Sequence, residues 1–270
     1  MALWPLLRFA DWPAYLATAR ISASSQLDGN FLFLIDYLLR LLRVALLIAV
    51  WMSLPSENGY VAGIAIGSLL AYTVIAEAFE EIFDARTEMT TTIWSGAIAS
   101  RALQPMGFVG LYGSEAAGRW AVGFGAFSIP LIALANLVGI DTRPASVPHL
   151  AAFIVSVALA AAVGFAIEFA FAAISVIMNE NLWVIDGVRN AFSKLLSGAV
   201  VPLALLPWGL GDILAWSPFA AMASSPLRIY LGSGDVAAIL ATQIAWAVVA
   251  WIVADLLWRR ARENLAALGG

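Results

Sequence analysis

The sequence has no cysteine, one lysine (Lys194) and one histidine (His149). Without cysteine there can be no disulfide, thiolate nucleophile or cysteine-ligated metal. A single histidine cannot form a histidine cluster. The single lysine lies in the sequence FSKLL, without the glycine-rich turn that a Walker A lysine needs to bind phosphates. A Walker-type ATP site in this chain is therefore excluded, and we expect no enzymatic activity, metal or cofactor in it.

Charged residues are also scarce. They make up 12% of the 270 residues, whereas hydrophobic residues make up 62%, and the mean hydropathy is +0.90. A soluble domain carries about 25% charged residues, so this composition predicts an integral membrane protein. The net charge of −4 offers no basic face for nucleic acid. We therefore expect membrane lipid, not nucleic acid, around the chain.

Six stretches approach the roughly 20 apolar residues that a membrane-spanning helix needs. Four are free of basic residues: Tyr60–Phe83, Trp120–Val138, Leu150–Ile177 and Val236–Trp258. Two contain arginine or lysine: Phe31–Leu54 and Val188–Leu210. The sequence thus predicts an all-α membrane protein with a six-helix transmembrane domain over residues 31–258.

Arginines in the predicted loops are distributed unevenly. One side of the membrane carries Arg86, Arg101 and Arg119 among others, whereas the opposite side has only Arg143 and Arg228. The positive-inside rule then places both termini in the cytoplasm. We expect a multi-pass protein of the cell membrane, with a bacterial cytoplasmic membrane as the expected setting.

The two ends of the chain lie outside the predicted spans. In residues 1–30 apolar side chains recur at roughly helical spacing, which favours an amphipathic helix on the inner membrane surface. A disordered apolar tail is the alternative. Residues 259–270 are expected to form a cytoplasmic tail.

Charged side chains within the spans are candidates for function, because each costs about 2.5–3.5 kcal/mol at a helix centre. They are candidates for a transport path or a subunit interface, with snorkelling to the surface or local hydrogen bonding as the alternatives. These residues are Arg40, Arg43, Glu168 and Lys194. The acidic residues at the end of the second span are expected to form a solvated cytoplasmic extension. They are Glu77, Glu80, Glu81 and Asp84.

The long loop after the second span contains a short apolar segment, at about residues 92–104. Its pattern predicts one helix over Ile93–Leu103, with Gly96 near its start and Pro105 after its end. Its apolar side chains should be buried, either on the protein's own inner surface or in a groove of a cytosolic partner. The candidate contact residues are Ile93, Trp94, Ser95, Gly96, Ile98, Arg101 and Leu103.

A second apolar segment, at about residues 207–232, is too broken for a span. Backbone of this kind survives at membrane depth only where protein or water satisfies its polar groups. It could close the outer end of a path, or it could be a passive rim. The candidate gate residues are Pro207, Trp208, Trp216, Pro218 and Phe219.

Both segments resemble motifs of the type-2 ABC exporter permeases. IWSGAIASRALQP (residues 93–105) is similar to that family's I-x-x-G-x-I/L-x-x-x-L-x-x-P pattern. The proline- and glycine-containing stretch over residues 197–232 is similar to its later signature, and the tail from Trp258 to Gly270 to its usual ending.

The resemblance implies a permease subunit paired with a second, identical or related, permease. Two ABC ATPase subunits, which would hold the ATP and magnesium, would contact the helix at Ile93–Leu103. It also implies that residues 207–232 re-enter the outer leaflet as paired half-helices. We therefore expect an ATP-driven exporter. The alternatives are a secondary transporter or channel that uses Glu168 without an ATPase, and a structural membrane anchor.

Overall fold

The computed structural model describes residues 12–27, 31–55, 58–104, 106–178 and 182–268. The predictions made for residues 1–11, for Pro105 and for residues 269–270 lie outside the described residues. Within the described part the chain is mostly helical (76%). The only strands there are the two short strands of one hairpin.

The bounds of the observed helices agree only in part with those that the sequence predicts. They are α1 (Trp12–Leu27), α2 (Phe31–Ser53), α3 (Ile66–Ala78), α4 (Glu80–Asp84), α5 (Met89–Trp94), α6 (Ile98–Ala102), α7 (Phe108–Gly123), α8 (Ile129–Leu137), α9 (Val147–Met178), α10 (Leu182–Leu196), α11 (Leu210–Leu214), α12 (Ser224–Tyr230) and α13 (Val236–Leu268). Strands β1 (Tyr60–Val61) and β2 (Ile64–Ala65) pair antiparallel before α3. A π-helical turn, Phe124–Ser128, joins α7 to α8.

Three helices in the described part are long and apolar enough to cross a membrane. They are Phe108–Leu137, Val147–Met178 and Val236–Ala261. At a rise of about 1.5 Å per residue each exceeds the roughly 30 Å of a hydrocarbon core. The chain is thus an all-α membrane protein, as predicted, while the count of six spans stays a prediction. The third span was predicted too short, because its helix starts at Phe108 and not at Trp120.

The predicted second span, Tyr60–Phe83, is not one helix. Its first six residues form the β1–β2 hairpin, in which Ala62 and Gly63 both have positive φ. Such a pair is typical of a two-residue hairpin turn. The helix begins only at Ile66, and it is interrupted at Phe79 between α3 and α4.

The predicted fifth span, Val188–Leu210, is also wrong as a continuous helix. α10 begins earlier, at Leu182, and ends at Leu196. Gly198 then adopts a left-handed φ of +78°, and Pro202 follows without a backbone donor. The chain from residue 197 to 223 forms only short turns and the five-residue α11.

Helix α9 lies at the centre of the bundle. One face packs on α13, where the Ser156 hydroxyl donates to Gln243 over 2.7 Å, and others pack on α4, α10 and α12. The start of α9 lies near Thr142, whose carbonyl accepts from the Tyr230 hydroxyl. Its last turns pack in one cluster with Met89, Phe108 and Trp258.

These contacts define two ends of the molecule. We name the end with α4, α5, α6 and the last turns of α9 and α13 the charged end. We name the end with the β1–β2 hairpin and the first turns of α9 and α13 the opposite end. Helix α1, within the predicted surface segment, packs on α7 through Tyr15 at Gly110 and Ala19 at Gly118. Its position relative to a membrane stays a prediction.

Candidate functional site

A polar cavity of about 450 Å³ opens near the charged end, between α2, α4, α7 and α10. We name it the charged cavity. Three of the four charged side chains predicted for a path or an interface line it: Arg40, Arg43 and Lys194. The structure therefore brings together residues that are more than 150 positions apart in the sequence.

The two α2 arginines of this cavity are paired with glutamates from α3 and α4. Arg40 lies 2.6 Å from Glu81 and 3.6 Å from Glu80. Arg43 lies 3.1 Å from Glu80 and also contacts Glu77. The prediction that these glutamates form a solvated extension is wrong for Glu77, which is buried. A buried carboxylate requires a partner, and α2 supplies it.

The π-helical turn between α7 and α8 contacts one of the residues that line the cavity, Arg40. The Arg40 guanidinium lies 4.2 Å from the centre of the Phe127 ring. The Ser128 hydroxyl donates to the Ala78 carbonyl at the end of α3. π-Helical turns inside α-helices occur frequently at functional sites, and this one sets the position of α7 against α3.

Arg86 and Lys194 line the same cavity from other elements. Arg86 lies 2.5 Å from Asp84, at the C-terminal end of α4. Burial lowers the pKa of the Arg86 guanidinium, but the adjacent Asp84 carboxylate outweighs this effect and the pKa is raised above its ordinary value. The cavity thus keeps both signs of charge at its surface.

Glu168 does not line the charged cavity. Its side chain, 3% exposed, pairs over 2.8 Å with the Nε atom of Arg189 on α10, which is 1% exposed. Glu168 also accepts hydrogen bonds from the backbone and hydroxyl of Thr87, over 3.2 and 3.1 Å. Arg189 in turn donates to the Asp84 carbonyl over 2.5 Å. A buried charge network of this kind ties α4, α9 and α10 together.

The chain between α4 and α5 is held tightly against α9. Ala85 has a left-handed φ of 46° and is fully buried. An added Cβ at Gly164 would lie only 2.5 Å from the Ala85 Cβ, so glycine is required for this approach. One helical turn further along α9, Glu168 binds Thr87. We name Gly164, Glu168, Arg189 and the bound residues 84–87 the connector clamp.

The predicted single helix over Ile93–Leu103 is instead two short helices, α5 and α6. The break lies at Gly96, which has a φ of +71° and cannot continue a helix in that conformation. Ile93 and Ile98 pack against the apolar cluster beneath them, whereas Trp94 is 62% and Leu103 is 87% exposed. We name α5, α6, residues 95–97 between them and Leu103 after them the coupling segment.

The polar residues of the coupling segment face different neighbours. Arg101 lies 2.5 Å from Glu115 of α7 and stacks on the Tyr112 ring. The Ser95 hydroxyl donates to the carbonyl of Thr92 within the segment. The exposed surface of the segment is thus mixed, because Thr91, Ser95 and Ser100 are exposed beside Trp94.

At the opposite end, the predicted gate residues are spread over several contacts. Trp208, after Pro207, is 90% exposed, and Trp216 is also exposed. The carbonyl of Trp216 accepts a hydrogen bond from Trp246 of α13, and Phe219, after Pro218, stacks on Phe192 of α10. Their role as a gate stays a prediction.

Comparison with known families gives a direct match. A family model described as ABC-2 family transporter protein matches residues 35–269, which is most of the chain. The chain belongs to the ABC-2 transporter family. No curated protein and no solved structure gave a significant match.

Membership of the ABC-2 family implies a transport role for this membrane protein. The ABC-2 membrane components are permease subunits that work with ABC ATPase partners. The match includes both the coupling segment and the broken chain at the opposite end.

Sequence reasoning missed Arg189 and Thr87, which are the partners of Glu168. Arg189 lies at the start of the predicted fifth span, Val188–Leu210, but nothing in the sequence indicates that it faces Glu168. The spacing of Asp186, Asn190 and Lys194 also indicates a helix through Arg189, without showing which neighbour that helix contacts. Thr87 carried no signal, because its contact with Glu168 joins positions 81 residues apart.

Proposed function

We propose that this ABC-2 protein is the permease subunit of an ATP-driven exporter and that the coupling segment is its contact with an ABC ATPase. The observation that carries the proposal is the exposure of Trp94 and Leu103 on a segment that is anchored from below by Ile93 and Ile98. Large apolar side chains of this kind mark protein contact sites, and tryptophan is enriched among the residues that dominate binding energy.

We further propose that the charged cavity is half of a translocation path shared with a second permease, identical or related. The apolar faces of α2 and α10 next to it are exposed, with Leu42, Leu46, Val188 and Phe192 among their residues. A second permease or lipid would cover such faces. In this assembly ATP and magnesium are held by the ATPase subunits, and both termini lie in the cytoplasm of a bacterial cell.

The alternative of a secondary transporter that uses Glu168 has less support. A proton-carrying acid must exchange with water or with a relay of titratable groups. The Glu168 carboxylate is instead buried beside Arg189 and Thr87, and the space that it borders there is small, about 10 Å³.

The test is whether Mg²⁺-dependent, vanadate-sensitive ATPase activity copurifies with the chain from its native membranes in nanodiscs. We expect Trp94→Glu and Leu103→Glu to lower this activity at least tenfold, since a charge in an apolar contact is left desolvated. Leu137→Glu is the matched control, because Leu137 is 84% exposed, close to the 87% of Leu103, and ends α8 at the opposite end. Full activity in Trp94→Glu and Leu103→Glu would contradict the proposed contact.

A further inference from the structure

A second cavity, of about 320 Å³, lies at the opposite end between α3 and residues 202–215. We name it the opposite-end chamber. Its walls are largely apolar and include Leu69, Leu203, Ala215 and Leu231. Gly211 shapes one side, because an added Cβ there would lie 2.1 Å from the Leu203 carbonyl oxygen. The turn from Leu203 to Leu205 is therefore held close against α11.

Two hydrogen bonds are made by residues that line the chamber, Tyr72 and Ser224. The Tyr72 hydroxyl donates to the Gly198 carbonyl over 2.7 Å. The backbone N–H of Ser224 donates to the Ser197 carbonyl over 2.9 Å. These contacts join α3, the chain after α10 and the start of α12. The chamber and the charged cavity have no lining residue in common.

Among the described residues that line the chamber, Arg228 is the only cation and Asp212 the only acid. Arg228 is half-buried, and no carboxylate of the described residues lies within ion-pair distance of its guanidinium. Asp212 is exposed to solvent. By contrast, Arg40, Arg43 and Arg86, which line the charged cavity, all have carboxylate partners.

An incompletely hydrated guanidinium among apolar walls gains by binding an anion. Arginine offers a planar set of donors that fits carboxylate and phosphate oxygens, and such hydrogen bonds are stronger than neutral ones. The hydroxyls of Ser68 and Ser233 also line the chamber and supply further polar contacts. Small, fully hydrated anions are poor ligands for such a chamber. They would lose their hydration shell without burying any apolar surface of their own against the walls.

We propose that the opposite-end chamber binds the anionic group of an amphipathic molecule, with Arg228 as the anion contact and Leu69 and Leu203 against the apolar part. A free amphipathic acid and an anionic lipid share this chemistry. Binding itself does not depend on the proposed function. The further claim that the chamber is part of an export path rests on the proposed function.

The experiment measures binding of radiolabelled octanoate to the purified chain in phosphatidylcholine nanodiscs, with octylamine as the cationic probe of equal length. We expect saturable octanoate binding that Arg228→Gln weakens about tenfold or more, since a charge-assisted hydrogen bond contributes on that order. Arg228→Lys should retain most of the binding, and Asp212→Asn should retain or strengthen it. Arg143→Gln, an exposed arginine at the same end outside the chamber, is the matched control.

Three results would overturn the proposal: octanoate binding that is unchanged in Arg228→Gln, an equal loss in Arg143→Gln, or octylamine binding of the same strength at the same site. Repeating the measurement in nanodiscs that contain phosphatidylglycerol separates the two sources of ligand. Competition by this lipid assigns the chamber to a lipid headgroup, and its absence assigns it to a free amphipathic acid. ATPase copurification is measured separately, so a failure of binding and a failure of the coupling contact are distinguishable.

Discussion

Replacing Arg189 by methionine would remove a guanidinium that is 1% exposed and lies 2.8 Å from Glu168. Breaking one partner of a buried ion pair costs about 3–5 kcal/mol, because the other charge is left uncompensated. Glu168 would retain its two hydrogen bonds from Thr87. We therefore expect Arg189→Met to lower the free energy of unfolding by about 3 kcal/mol, the lower limit of that range. The Asp84 carbonyl would also lose its donor.

The assay is unfolding by sodium dodecyl sulfate in mixed micelles, followed by tryptophan fluorescence. Arg259→Met is the matched control, because the Arg259–Asp255 pair is largely exposed and of a kind that contributes about 0.3–0.5 kcal/mol. The double variant Glu168→Gln/Arg189→Met removes both charges. Its loss of unfolding free energy should be smaller than the sum of the losses in the two single variants.

Two outcomes would refute this reasoning. One is an Arg189→Met variant that loses no more stability than Arg259→Met. The other is a double variant whose loss equals the sum of the single losses, because the two side chains would then act independently.

Further predictions concern close contacts in the same assay. Gly164→Ala should destabilise the protein by about 1–3 kcal/mol, because the added Cβ would overlap with Ala85. Gly187→Ala is the control, because Gly187 lies on a helix with open space around it. This substitution should be neutral or should stabilise the protein by up to about 1 kcal/mol. Equal effects of the two substitutions would contradict the close approach. Tyr72→Phe should lower the free energy of unfolding by about 1–3 kcal/mol, because it leaves the buried Gly198 carbonyl without its hydrogen-bond donor. An unchanged midpoint of the unfolding transition would show that this contact is not formed.

Local composition was sufficient to predict the class of fold and the broken segments. The long apolar stretches predicted an all-α membrane protein, and the glycines and prolines of residues 207–232 predicted chain too irregular for a span. Residues 197–206 are equally irregular, but they were placed in the predicted fifth span. Gly96 also carried a usable signal. Placed between Trp94 and Ile98 it can end a helix, and the structure shows a left-handed residue there.

Pairing between helices could not be predicted in the same way. The spacing of Arg40 and Arg43 shows that they share one side of α2, but it does not show which helix faces that side. Glu168 was recognised as unusual, whereas Glu77 was assigned to a solvated extension. Their partners, Arg189 and Arg43, lie 21 and 34 positions away along the chain. Such contacts depend on how helices assemble, which no local period encodes.

The connector clamp has a mechanical consequence. Only Glu88 separates Thr87, which is bound to α9, from Met89, the first residue of α5. One residue of chain provides almost no slack in which a displacement could be absorbed. If a partner shifts α5, we therefore expect the displacement to be transmitted directly to the interior of the protein. Either α9 and α10 move together with α5, or the contact between Glu168 and Thr87 breaks.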